Sequence, residues 1–130
     1  MGESIDFNLL KVFCEELMSK TKTHLSLSGH VSPLVVAIRG DCQEADVLFP
    51  SSAESTGLLQ SLSSDSSVEA LVMLEEALLE GTKILHLSSF TRQGTRVLQS
   101  AYQVTVGASP AFLDLGWSAA DDTNNPWLKI

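Results

Sequence analysis

His86 stands two residues before Ser88 in Lys83 to Phe90, a short alternating stretch that places both side chains on one side of an extended strand. A histidine beside a serine begins nucleophilic chemistry when the imidazole takes the hydroxyl proton and the serine is held on a sharp turn. The chain contains no Gly-x-Ser-x-Gly element, so the pair reads first as a histidine on a half-exposed sheet face. His24 and His30, with Asp41 and Glu44, form a donor set that suits a divalent metal, yet they lack the i,i+3 or i,i+4 spacing by which such sites declare themselves. They read as surface residues of loops. Cys42 follows Asp41 and precedes Glu44, and negative neighbours raise a thiol pKa, which argues against a nucleophile. Arg39-Gly40-Asp41 spells the integrin tripeptide at a place where a turn wants glycine and aspartate in any case. Phosphate loop, dinucleotide fingerprint, EF-hand loop and cysteine quartet are missing from the sequence, and no cofactor is expected.

Glu69, Glu76 and Glu80 carry a different chemistry, that of charge recognition. Their spacing puts them on one side of a helix expected from Ser66 to Glu80, with Ser66 and Glu69 as its capping box and Gly81 as its left-handed stop. Val68, Leu71, Val72, Leu74, Leu78 and Leu79 would supply the buried stripe. A row of glutamates with no lysine or arginine among them is either a solvated face or a docking surface for a basic partner.

Other elements must position these groups. A first helix is expected from Ser4 to about Lys20, with Leu9, Leu10, Phe13, Cys14, Leu17 and Met18 buried and Glu16 paired to Lys20. Thr21 to Gly29 reads as a polar connection. Leu34 to Ile38 suits a strand covered on both faces, and Arg39 to Glu44 a hairpin loop into a second strand, Ala45 to Phe49. Eight of the seventeen residues from Ser51 to Ser67 are serine, which favours a loop with one helical turn around Thr56 to Leu62. After the strand Lys83 to Phe90, Leu98, Tyr102, Val104 and Val106 alternate with polar residues, as do Ala111, Leu113, Leu115 and Trp117 with their neighbours.

The expected fold is therefore α+β, an antiparallel sheet of about five strands made of a hairpin and a three-strand meander, with two main helices on one face, in the order α-β-β-α-β-β-β. Residues 1–117 form one domain with a serine-rich loop at 51–65. Residues 118–130 form a tail that docks through Trp127 and Leu128, which are costly to leave in water. This layout is similar to that of profilin-like modules, including the roadblock family, and of type III secretion chaperones; the resemblance is one of element order alone and implies no role for any residue.

The 130 residues carry 16 acidic and 8 basic side chains, a formal charge of −8, with the basic ones scattered. Without a basic stripe, nucleic acid and anionic membrane are poor partners. Two cysteines, Cys14 on an apolar helix face and Cys42 in a turn, read as one buried and one exposed thiol rather than a disulfide. No apolar run reaches the roughly 18 residues of a membrane span, and no charged-then-apolar leader stands at Met1, so the cytoplasm is the expected location.

Three functions are compatible with these features. The first is a non-enzymatic binding or assembly module, homodimeric or bound to another protein, acting through a sheet edge or through Glu69, Glu76, Glu80, Trp127 and Leu128. The second is a small-molecule binder or hydrolase-like enzyme whose pocket gathers His86, Phe90, Tyr102 and Trp117 between sheet and helices. The third is a chaperone or toxin-neutralising protein, for which acidity is the cue.

Overall fold

The computed structural model describes residues 7–29, 31–40, 42–51, 54–103 and 110–128. Its first helix, α1, runs Phe7–Ser28, well past the expected end near Lys20. Leu10, Cys14, Met18, Thr21 and Leu25 are buried at spacings of three and four, so the apolar stripe continues through the segment read as a connection. Thr21, Thr23 and Ser28 turn their hydroxyls back to the carbonyls of Leu17, Ser19 and His24, which lets polar residues stay helical. Gly29, at φ +72°, ends the helix, its N–H donating to the Leu25 carbonyl. No Glu16–Lys20 ion pair forms among the described residues. Ser4, His30, Asp41, Val104 and Val106 lie outside them.

Strands β1 (Leu34–Arg39) and β2 (Glu44–Leu48) form the expected hairpin. Helix α2 (Ser55–Ser63) occupies the serine-rich stretch and is longer than one turn. Ser51 donates its backbone N–H and its hydroxyl to the Glu54 carboxylate ahead of this helix, and that donation holds the carboxyl below its ordinary pKa. Four strands follow: β3 (Ala70–Leu79), β4 (Thr82–Thr91), β5 (Gly94–Gln103) and β6 (Ala111–Ala120). All pairings are antiparallel, in the order β2-β1-β3-β4-β5-β6.

The segment expected to be the central helix is strand β3. An apolar run satisfies a helical stripe and a strand buried on both faces equally well, and here both faces are covered. Val72 and Leu74 enter the cluster beneath α1, while Leu71 and Met73 pack with α2 residues. Glu80 and Gly81, at φ +50° and +82°, are the two-residue loop of the β3–β4 hairpin, closed by the pair Leu79 and Thr82. Gly81 is therefore a hairpin residue and not a helix stop. Ser66 and Glu69 form no capping box: Ser67 is held by Asp65, and the Glu69 N–H donates to the Ile38 carbonyl, extending the β1–β3 ladder.

With β3 added, the α+β antiparallel sheet has six strands where about five were expected, in the order α-β-β-α-β-β-β-β. The two helices lie on opposite faces, not on one. Successive strand residues alternate sides, and Val36 and Ile38 belong to the core under α1 whereas Val35 and Ala37 belong to the core under α2 with Leu59, Leu71 and Phe90. Arg39 ties the α2 side together, bonding Asp46 on β2 and both Asp65 and Ser67 in the α2–β3 connection. Hydrogen bonds from Ser67 and then from Arg39 hold the Asp65 carboxyl down to about 2.

The chain after β6 folds back onto the α2 face. Asn125 is fully buried; its side-chain amide donates to the Thr91 carbonyl (2.9 Å) and the Thr95 hydroxyl (3.2 Å), and its carbonyl accepts the Trp127 N–H (3.0 Å). Trp127 packs on the α2-side core with Arg92 over its ring at 4.9 Å.

Candidate functional site

The sheet divides the residues proposed for a pocket. His86 and Phe90 project from β4 to the α2 face, whereas Tyr102 and Trp117 belong to the core beneath α1. The two pairs lie on opposite faces of the sheet and line no common cavity among the described residues. Trp117 stands edge-on to Phe7 at 5.6 Å, Tyr102 lies beside Phe112, and the Tyr102 hydroxyl donates to the Glu76 carboxylate. Burial, reinforced by that carboxylate, raises the Tyr102 pKa.

On the other face His86 completes a small hydrogen-bonded row. The Gln99 amide meets its Nδ1 at 2.9 Å, and its Nε2 lies 3.1 Å from the Ser88 hydroxyl. With the amide donating to Nδ1, the ring proton of neutral His86 sits on Nε2 and is given to Ser88. That is the reverse of what serine activation needs, and Ser88 is buried, out of reach of a substrate carbonyl. Burial lowers the His86 pKa against the opposing pull of Glu75, its cross-strand partner. The arrangement is a structural polar row under neutral imidazole.

The glutamates do not share a face as a helix would have placed them. Glu69 precedes β3, Glu76 points under α1 to Tyr102, and Glu80 occupies the hairpin loop. Trp127 is packed against its own domain and Leu128 is half-buried. His24 lies on α1. Cys14 is buried and its thiol is pushed up to about 12, by burial first and then by Cys42 and Glu15; Cys42 is half-buried against the same core and not the exposed thiol expected.

Two features that the sequence reading passed over stand out at the sheet's margins. Strand β6 is ten residues long and largely exposed, with Leu113 at 66% and Leu115 at 47%. Its pairing with β5 steps at Gln99 and Ser100, so Leu115 is an extra residue and Gly116, at φ +78°, turns the strand. This bulge overturns the expected alternation: Leu113 faces away from the side on which Trp117 packs. An isolated glycine inside an alternating strand was the available signal. Asp114, the single charged residue of β6, is met by Lys22 of α1 and by Ser100, donors that lower its pKa. At the opposite margin β2 has five residues, carries Glu44 and Asp46, and is followed by Pro50. A cavity of about 310 Å³ lies between β2 and α1, lined by Leu17, Lys20, His24, Leu34, Val47 and Phe49 among others.

Among the described residues no helix is long and apolar enough to cross a membrane. No protein-family model, curated protein or solved structure matches the chain.

Proposed function

We propose that the chain is a non-enzymatic assembly module that pairs with a second copy of itself through the β6 edge. The observation carrying this reading is the state of that edge: ten residues, no lysine or proline, two exposed leucines, and one carboxylate already neutralised by Lys22. Natural sheets guard free edges with short strands, lysine, proline or inward charges, because a bare row of N–H and C=O groups recruits another strand. β2 is guarded against a second sheet chiefly by its length of five residues, with Glu44 on it and Pro50 just past its end, and so has room for a short segment only. β6 has one guard, the bulge at Leu115, which leaves Ala111 to Asp114 and Trp117 to Ala120 as uninterrupted pairing segments.

A net charge of −8 opposes self-association in general, but near β6 the balance is local, with Lys22 on Asp114 and Arg96 stacked on Phe7 at 3.8 Å. Antiparallel β6–β6 pairing about a two-fold axis would continue the sheet and cover Leu113 and Leu115. Light scattering coupled to size exclusion tests it: the wild type is expected as a dimer at micromolar concentration, with Leu113→Lys/Leu115→Lys and Ala119→Pro, whose N–H faces outward, as folded monomers. A wild type that is monomeric throughout, or a dimer indifferent to both changes, refutes the reading.

A further inference from the structure

The other margin of the sheet offers a site of different character. Helix α1 covers the centre of its face but leaves β2 bare, so Val47 remains 50% exposed and Phe49, just past the strand's end, 69% exposed. Val47 pairs with Val36, a residue of the α1-side core, and so points into the cavity between β2 and α1. Glu44 and Asp46 point to the opposite face, where Arg39 engages Asp46. The helix side of the cavity carries Lys20 and, one turn on, His24. Lys20 makes no ion pair among the described residues, which in a chain of charge −8 leaves an apolar groove with a positive rim.

We propose that this groove binds an extended segment of a partner protein, laid along β2, with alternate apolar side chains in the cavity and a carboxylate on the same side against Lys20 and His24. Charge complementarity selects the carboxylate. The outer edge of β2 selects an extended peptide over an alkyl acid: among the described residues β2 pairs with β1 alone, so its outward N–H and C=O groups call for another backbone, which an alkyl chain cannot supply. The inference is independent of β6, since β2 and β6 are the two ends of the sheet.

The test uses the full chain and fluorescein-labelled heptapeptides in a polarisation assay. Asp-Thr-Val-Thr-Val-Thr-Asp presents two valines and a carboxylate at either end to one face, whichever way it runs. It is expected to bind saturably, and its counterpart with lysine at both ends about tenfold more weakly or worse. Lys20→Glu/His24→Glu and, separately, Val47→Asp should each weaken the acidic peptide by about tenfold, while Leu113→Lys/Leu115→Lys leaves it unchanged. Absence of saturable binding by the acidic peptide overturns the proposal. So does equal binding of the two peptides, indifference to the rim variants, or a thermal shift with decanoate in the absence of peptide binding.

Discussion

Replacing Glu80 by Asn should stabilise the protein, and the sign of the effect distinguishes the hairpin from the helix that the sequence suggests. Glu80 is held at φ +50° in the two-residue loop between β3 and β4. A left-handed conformation costs an ordinary L-residue roughly 1–2 kcal/mol, of which asparagine recovers a part, about 0.5–1 kcal/mol. An unfolding entropy of about 2.1 cal/mol/K per residue over 130 residues comes to about 0.27 kcal/mol/K, so the gain is about 2–4 °C in Tm. Gly81→Ala is the converse. An added Cβ there meets nothing within 4 Å, so its cost is conformational strain at φ +82°, about 1–2 kcal/mol or 4–7 °C. Thermal unfolding followed by circular dichroism, with urea midpoints as the check at fixed temperature, measures both. A lower Tm for Glu80→Asn would refute the turn geometry, because glutamate exceeds asparagine as a helix former.

Asn125→Asp removes the two donors that hold the tail to Thr91 and Thr95 and places a charge at a fully buried site; a loss of about 3 kcal/mol or more is expected in urea midpoints, with Trp127 fluorescence shifting red as the tail lifts. Burial lowers the His86 pKa, so below the unfolded imidazole value near 6.5 the unfolded chain takes up a proton that the folded chain refuses. Stability therefore falls as pH drops through that value toward the folded one, and His86→Gln should flatten this limb of a urea midpoint against pH curve between about pH 7 and 5. Cys14, with its thiol pushed up to about 12 and buried, should resist iodoacetamide in the folded protein while Cys42 reacts, as intact mass would record.

How far the sequence was legible depends on what each residue had to compete with. The β1–β2 hairpin and strands β4 and β5 were read from alternation and turn residues, and those signals are local. β3 was misread because Val68 to Leu79 meets both periodicities, and the arbiter, a helix on each face, comes from Leu10, Cys14 and Leu59, far away in the chain. That misreading carried the glutamate row with it, since Glu69, Glu76 and Glu80 align at helical spacing alone. The division of His86 and Phe90 from Tyr102 and Trp117 could not be seen without register, which is set by pairings between strands. The exposed margins were hidden for a similar reason: Val47, Phe49 and Leu113 look like core residues until the order of the strands shows which of them lie at the ends.

The strand order has one more consequence, for what the molecule must avoid. A sheet whose two ends differ could add copies by translation, each β6 taking the β2 of the next, and such heterologous stacking closes no ring and grows a fibre. Rotation about a two-fold uses β6 twice and stops at two. β2, whose pairing with another sheet would turn a finite particle into a polymer, is five residues long with Glu44 on it and Pro50 just past its end, which admits a short segment and not the ten residues of β6.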